Sequence, residues 1–134
     1  MKPKVIVTRD IPDEVESKLK EYFQVSFNRE DKVFSNDILR KAMENADGIV
    51  CTVTDSITDE LLTLPKKKVK IISNIGVGVD HIDLASAKEN DVIITNTPDV
   101  LTEATVDVAT LLLLSVTRNA FQVEKMLRQG EWKG

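Results

Sequence analysis

The sequence predicts an α/β fold in which a parallel sheet of five strands carries helices on both faces. From Val5 to Thr95, short β-branched apolar runs alternate with amphipathic segments of helical periodicity. The strand-like runs are apolar throughout, which is typical of parallel strands that are covered on both sides. A chain of 134 residues is also long enough to bury a sizeable core.

Four of the five predicted strands are compact β-branched runs, and the second is weaker. Turn pairs such as Asp47-Gly48 and Asn90-Asp91 lead into two of them. Repeated strand–helix units of this kind fit a flavodoxin-like layout. The predicted strands are Val5–Thr8, Gln24–Phe27, Ile49–Val53, Val69–Ser73 and Val92–Thr95.

Four helices are predicted between these strands. The first opens at Asp13, and Ser35 or Asn36 is expected to cap the second. Thr58 is expected to cap a short third helix, and the fourth is predicted at Asp80–Glu89. Residues at a spacing of four form an apolar stripe on the first helix: Val15, Leu19 and Phe23.

The alternation of strands and helices stops after Pro98. Leu101–Thr117 reads as one long helix whose apolar residues cover more than one face, so it must be buried on several sides. A domain whose sheet is already covered has little room for such a helix. The pattern therefore suggests that this helix packs against something absent from this chain.

Composition excludes several classes of protein. The chain has 18 basic and 22 acidic residues, a net charge of −4, which argues against partners such as nucleic acid and anionic membranes. The longest apolar segment, Val106–Val116, is shorter than the about 20 residues that span a bilayer. The single cysteine, Cys51, lies in an apolar strand and predicts a buried inert thiol in a cytoplasmic protein, and one histidine cannot build a metal site.

The segment Asn74–Asp83 reads N-I-G-V-G-V-D-H-I-D and follows a predicted strand. Glycine permits positive φ and lets backbone N–H groups approach a ligand closely, so Val77 and Gly78 can present consecutive donors to a carboxylate. From the residues alone, a tight strand-to-helix connection is the slightly favoured explanation for Gly76 and Gly78. His81 is expected to be a surface or capping residue at the first turn of a helix.

A second loop, Thr95–Asp107, leads into the long helix. Thr102 is a plausible N-cap with Thr105 three positions later, and the start of a helix favours an anion. Ligands of parallel sheets gather at the carboxyl ends of the strands, where both loops begin. Asp10 ends the first strand, where a turn-forming role is favoured over a catalytic one. The residues contain no positioned acid–base pair with a nucleophile.

Three segments together resemble the D-isomer-specific 2-hydroxyacid dehydrogenases, and within them the glyoxylate/hydroxypyruvate reductase branch. The resemblance covers the whole chain in order and is most specific from Asn74 to Trp132. The segments that carry it are Asn74–Leu84, Thr95–Asp107 and Arg128–Lys133.

The resemblance implies roles for five residues. Val77 and Gly78 match the backbone pair that holds the substrate carboxylate, and Val53 matches a position that borders the substrate. Thr102 and Thr105 match positions near the nicotinamide of NAD or NADP. The cofactor itself would be bound mainly by the absent domain.

The resemblance also implies what this sequence lacks. The Gly-x-Gly-x-x-Gly unit of the family and its later Arg, Glu and His have no counterpart here, so no catalytic residue is assigned. Residues 1–99 are then the substrate-binding domain, and residues 100–134 the linker helix and the start of the cofactor-binding (Rossmann) domain. The implied function is NAD(P)H-dependent reduction of small 2-oxo acids to 2-hydroxy acids by a cytoplasmic homodimer. This chain is expected to be inactive alone.

The competing hypothesis is a stand-alone flavodoxin-like module that binds a small anion or has a regulatory role. Its phospho-receiver form needs an Asp at the end of the third strand and a Lys after the fifth. Cys51-Thr52 and Asn96-Thr97 stand at these places, which argues against that form.

Overall fold

The computed structural model describes residues 1–133 and divides the chain into two compact units, Met1–Pro98 and Asp99–Gly134. The first unit holds five strands and four helices. The strands are β1 (Lys4–Val7), β2 (Gln24–Phe27), β3 (Gly48–Thr52), β4 (Ile71–Ile75) and β5 (Ile93–Thr95). The helices are α1 (Asp13–Tyr22), α2 (Asn36–Asn45), α3 (Asp59–Leu62) and α4 (Leu84–Glu89).

The strands form one parallel sheet in the order β2-β1-β3-β4-β5, which confirms the predicted α/β fold. The chain runs outward from β1 in both directions, so right-handed crossovers place α1 on one face and α2, α3 and α4 on the other. Two clusters of buried side chains agree with this arrangement. The larger includes Leu39, Met43, Ile57, Leu61 and Ile72, and the smaller comprises Val5, Val7 and Ile11 beneath α1.

The two faces of the sheet are covered unequally. On the α1 face, Leu19 and Phe23 pack on the cluster formed by β1 and its neighbours. Ile71, Ile75 and Ile93 are exposed: β4 has exposed ends and buried positions between them, and β5 has one half-buried residue between two exposed ones. The expectation of strands buried on both sides is therefore wrong for these two, because α1 does not extend over them.

The apolar stripe predicted for α1 is confirmed at Leu19 and Phe23, which pack on the core, but it is wrong at Val15. Val15 is 44% exposed, whereas Glu16 is 3% exposed. The Glu16 carboxylate accepts hydrogen bonds from Arg29 at 2.5 and 2.8 Å and from Lys20 at 3.1 Å. The bond from the Arg29 guanidinium is the main cause that holds the pKa of Glu16 below its ordinary value. Glu16 is thus buried as a carboxylate paired with a residue of a distant loop, and not as part of the apolar stripe.

The fourth helix begins later than predicted. Asp83 is its N-cap and accepts a hydrogen bond from the N–H of Ser86 at 2.9 Å, so α4 starts at Leu84 and not at Asp80. The preceding residues form a turn that an isolated bridge between Ile57 and Ile82 fixes. For α2, the expected cap is confirmed at Ser35, whose hydroxyl accepts from the N–H of Ile38 at 3.4 Å.

The second unit consists of α5 (Thr102–Thr117) and α6 (Ala120–Arg128), which pack on each other. Asn119 joins them in the left-handed conformation, with φ 56°. The predicted long helix is therefore confirmed, but many of its apolar side chains are exposed. Within residues 1–133 no single helix is long and apolar enough to cross a bilayer; α5 and α6 reach that length only as a pair bent by 68°. The exposed side chains of α5 include Val106, Val108, Leu111, Leu112, Leu113, Leu114 and Val116.

Candidate carboxylate-binding site

The loop that follows β4 is held by the side chain of Asn74. This side chain is 1% exposed, and its Nδ2 donates to the carbonyl oxygens of Gly76 at 3.1 Å and Gly78 at 2.9 Å. One amide therefore fastens both ends of the Gly76-Val77-Gly78 segment from the protein side.

Two residues that follow β5 hold the same segment. Nδ2 of Asn96 donates to the carbonyl of Val77 at 2.9 Å, and the N–H of Thr97 donates to the carbonyl of Gly76 at 3.1 Å. The three successive carbonyl groups from Gly76 to Gly78 are thus all satisfied. The two conspicuous loops of the sequence meet here, at the carboxyl ends of adjacent strands, as predicted.

The carbonyl groups of the loop are hydrogen-bonded, but its backbone N–H groups remain available to a ligand. In a planar trans peptide the C=O and the next N–H point in opposite directions, so the N–H groups of Val77 and Gly78 are directed away from the asparagine amides. Neither N–H has a hydrogen-bond acceptor among residues 1–133. Both residues are exposed, so the two donors are open to a ligand from solvent.

The structure explains the presence of glycine at positions 76 and 78 differently from the sequence analysis. Gly130 is the one described glycine with positive φ, so neither Gly76 nor Gly78 uses that freedom. At Gly76 a Cβ would lie 3.0 Å from Cγ1 of Val53 and 3.2 Å from Nδ2 of Asn74. At Gly78 the nearest atom would be a carboxylate oxygen of Asp80 at 3.7 Å. Gly76 is therefore required for close packing, whereas Gly78 has room for a side chain.

Val53 borders this loop, as the sequence predicted. It lies in the turn after β3 and is 60% exposed, and the register pairs Thr52 at the end of β3 with Ile75 at the end of β4. The first unit therefore brings together three predicted site residues: Val53, Val77 and Gly78.

A buried carboxylate fixes the turn that carries Val53, and the sequence analysis missed it. Asp55 is 1% exposed, and its Oδ2 accepts from the N–H of Thr52 at 3.0 Å and from Oγ1 of Thr8 at 2.5 Å. Its Oδ1 has no partner in the described part of the chain. An Asp three positions after a strand end is a turn signal, but its pairing with Thr8 is not visible in the sequence.

The arginines at this edge of the sheet are already paired. Arg9 donates to both carboxylate oxygens of Asp31, at 2.7 and 3.1 Å, and to Oγ1 of Thr54 at 3.0 Å. The Arg9 guanidinium is the main cause that lowers the pKa of Asp31 to about 2. Arg29 is bound to Glu16. A carboxylate ligand therefore meets backbone N–H groups here and not a free guanidinium.

Comparison with known proteins decides the family. Residues 5–128 match the model of the D-isomer specific 2-hydroxyacid dehydrogenase, catalytic domain. The chain belongs to this family. The resemblance carried by the two loops and the Arg128–Lys133 segment is thereby confirmed, and so is the fold that it implied.

The relatives of this chain include several glyoxylate reductases. It is 39% identical over 133 residues to the glyoxylate reductase of Thermococcus onnurineus, covering 99% of this chain and 40% of the relative. It is 38% identical to that of Pyrococcus horikoshii over the same coverage. The chain thus spans 40% of the length of these curated relatives.

Solved structures of similar proteins agree with the fold of this chain. A Thermus thermophilus protein superposes with a TM-score of 0.82 at 38% identity, covering 98% of this chain and 42% of that one. The NADPH-dependent glyoxylate/hydroxypyruvate reductase of Sinorhizobium meliloti, in complex with NADP and malonate, superposes with a TM-score of 0.72 at 31% identity. That match covers 98% of this chain and 40% of the reductase.

Cys51 and His81 could have been reactive, but their surroundings do not favour a nucleophile. Cys51 is buried, as predicted, and burial, with the charge of Asp55, raises the pKa of its thiol to about 12. His81 lies in the turn before α4 and not in its first turn, and its Nε2 is 3.1 Å from Oδ1 of Asn74. The expectation of a capping role is wrong, because Asp83 caps α4; His81 is half-buried, and its ring faces a buried amide. No group of three metal-binding side chains occurs within residues 1–133.

Thr102 and Thr105 lie in the second unit, on the first turn of α5. Leu101 occupies the N-cap position without a side-chain cap, and Thr102 is the first helical residue, so the prediction of Thr102 as the cap is wrong. The N–H of Thr105 donates to the carbonyl of Leu101 at 2.9 Å. Both threonines are exposed. Their place near a nicotinamide stays a prediction, as do the ligand-binding roles of Val53, Val77 and Gly78.

Proposed function

We propose that this chain is the substrate-binding part of an NAD(P)H-dependent reductase that converts small 2-oxo acids, glyoxylate or hydroxypyruvate, to 2-hydroxy acids. The observation that carries the proposal is the pair of unpaired N–H groups of Val77 and Gly78 beside Val53. The names of the relatives support it, and so does the malonate, a small dicarboxylate, in the Sinorhizobium meliloti complex.

The substrate carboxylate accepts hydrogen bonds from these N–H groups. Their carbonyls are already bound to Asn74 and Asn96, so the donors are oriented before the substrate arrives and little reorganisation opposes binding. The exposed Val53 side chain faces the same loop and limits the size of the group attached to the carboxylate. This preference for a short acid follows from packing and not from charge.

NAD or NADP is the cofactor of the proposed reaction and supplies the hydride when bound. The residues of this chain fit a minor part of its binding: the uncapped first turn of α5 and the exposed hydroxyls of Thr102 and Thr105 offer polar contacts. The sequence contains no Gly-x-Gly-x-x-Gly unit, so the pyrophosphate would be bound by other residues. Whether residues 99–134 belong to the cofactor-binding domain is part of the same proposal.

We assign no catalytic residue within this chain and propose that it is inactive alone. This is supported by its coverage of 40% of the reductases it matches. A cytoplasmic homodimer belongs to the same proposal, as does the absence of nucleic-acid and membrane partners, which the net charge of −4 favours.

Amide chemical shifts of the isotope-labelled chain test the substrate site. Malonate and glyoxylate are expected to shift the resonances of Val53, Val77 and Gly78, whereas malonamide, the neutral analogue of malonate, is not. The chain alone is expected not to oxidise NADH or NADPH with either oxo acid. Oxidation by the chain alone, or equal shifts with malonamide, would contradict the proposal.

A further inference from the structure

Asn74, which holds the loop that presents the free N–H groups, is itself in contact with His81. We propose that they are positioning residues for the carboxylate site: His81 sets the orientation of the Asn74 amide, and that amide sets the direction of the loop donors. This inference rests on the proposed function, because it concerns the same site. It adds two residues that touch no substrate.

The orientation of the Asn74 amide decides the shape of the loop. Its Nδ2 uses both hydrogens, one on the carbonyl of Gly76 and one on that of Gly78, and the side chain is almost completely buried. An amide turned by half a rotation would place its oxygen against these two carbonyls. The carbonyl of Gly78 would lose its donor and that of Gly76 would keep only the N–H of Thr97, so the peptides that carry the Val79 and Val77 N–H groups would be held less firmly.

His81 is the residue that distinguishes the two orientations. With both Nδ2 hydrogens in use, Oδ1 of Asn74 is an acceptor, so the Nε2 of His81 at 3.1 Å must carry the hydrogen. The neutral tautomer and the imidazolium both satisfy this requirement. The thiol of Cys51 also faces Oδ1, at 3.9 Å, but sulfur is a weak donor.

The backbone of His81 is itself fixed. Its carbonyl accepts from the N–H of Ile57 at 2.8 Å, and the carbonyl of Ile57 accepts from the N–H of Asp83 at 2.9 Å. Ile57, two residues before α3, therefore anchors the backbone of the histidine whose ring contacts Asn74. A chain of hydrogen bonds runs from Ile57 through His81 and Asn74 to the loop.

Variants at His81 test this chain of bonds. His81→Gln keeps a donor at the same number of bonds from the backbone as Nε2, whereas His81→Phe keeps the ring shape and removes the donor. With malonate as the probe, we expect His81→Phe to raise Kd at least about tenfold and His81→Gln to change it by less than about threefold. Asn74→Asp, which replaces the donor by an acceptor, is expected to abolish binding while circular dichroism still shows the folded sheet.

Spectra of the ligand-free protein provide a readout that does not depend on malonate. We expect both side-chain hydrogens of Asn74 to exchange slowly with solvent and the imidazole nitrogens to show hydrogen on Nε2. In His81→Phe the Val77 and Gly78 amide resonances should move, and in His81→Gln they should not.

The outcomes separate the two proposals. If the wild-type chain binds malonate and His81→Phe binds it equally well, the positioning role is wrong and the proposed function stands. If the wild-type chain binds no malonate, the proposed function fails, and the ligand-free spectra decide the positioning role. If His81→Phe does not fold, the spectra of the wild type decide. Asn74 side-chain hydrogens that exchange as fast as those of exposed amides would then overturn the inference.

Discussion

The hydroxyl of Thr8 donates a 2.5 Å hydrogen bond to the carboxylate of Asp55, and both side chains are buried. Thr8 follows β1, and Asp55 lies in the turn after the neighbouring strand β3. The connections of the sheet diverge at these two strands, which is where open α/β folds bind ligands. This hydrogen bond therefore stabilises the turn that carries Val53.

Thr8→Val is expected to lower the free energy of unfolding by about 1.5–3 kcal/mol, because a buried carboxylate loses one of its two described donors. Urea denaturation followed by circular dichroism measures the change. Thr8→Ser keeps the hydroxyl and is the matched control, with an expected loss of about 1 kcal/mol or less from one methyl group.

A double-mutant cycle shows whether the bond is the cause. In an Asp55→Asn background the charge is gone, so Thr8→Val should cost measurably less than in the wild type. An equal cost in both backgrounds would show that packing of the Thr8 methyl group, and not the bond to the carboxylate, stabilises this turn.

Alanine at Gly76 and at Gly78 should have unequal effects. At Gly76 the added Cβ would crowd Val53 and Asn74, so we expect a loss of about 1–3 kcal/mol in unfolding free energy. At Gly78 the nearest atom is 3.7 Å away, and the expected change is within about 0.5 kcal/mol. Thermal or urea unfolding of both variants checks the difference, and equal destabilisation would contradict the packing reason given for Gly76.

These glycines illustrate how far sequence reasoning reaches. The apolar runs and their spacing predicted the strands, and the rule for parallel sheets predicted that Val53 and the Gly76–Gly78 loop meet at one edge. The reason for Gly76 could not be predicted, because it depends on where the Asn74 amide lies. His81 was misjudged for the same reason: its partner is seven residues earlier, across a turn that the helical pattern concealed.

Hydrophobic periodicity also failed to predict which residues of the helices and strands are buried. Glu16 is buried because Arg29 reaches it from the loop after β2, and a hydrophobic pattern does not record such a pairing. Ile71 and Ile93 are exposed although they belong to β-branched runs, because coverage of a sheet face depends on how far α1 extends. Local patterns thus predicted the strands and helices, and tertiary contacts determined which of their faces are buried.

The Arg9–Asp31 pair should make stability depend on acid pH. The pKa of Asp31 is lowered from 3.8 to about 2, so its contribution to stability is complete above about pH 4 and is lost as the pH falls through about 2. Asp31→Asn removes the charge, and Asn tolerates the left-handed backbone at this position, where φ is 49°. The stability difference between wild type and variant should therefore shrink between about pH 4 and about pH 2.

Urea denaturation at several pH values measures this difference, and a carboxyl chemical-shift titration gives the pKa of Asp31 directly. The control is Glu30→Gln, which neutralises the adjacent exposed carboxylate, paired with Lys32. A wild-type Asp31 that titrates near 3.8, or a stability difference that grows as the pH falls, would show that the pair does not form in solution.

The exposed apolar residues of α5 should bind a hydrophobic dye. Leu111 and Leu113 are more than half exposed in a helix with few polar residues, and exposed apolar surfaces of this kind usually mark sites of interaction. We expect the 134-residue chain to enhance the fluorescence of anilinonaphthalene sulfonate, and Leu111→Lys with Leu113→Lys to reduce that enhancement by more than about half. Thr110→Lys adds a charge to the same helix without removing an apolar side chain and serves as the control.

A chain that binds no dye and is monomeric by sedimentation would favour a stand-alone anion-binding module over part of a reductase. The apolar residues of its long helix would then be covered by other residues of the same chain.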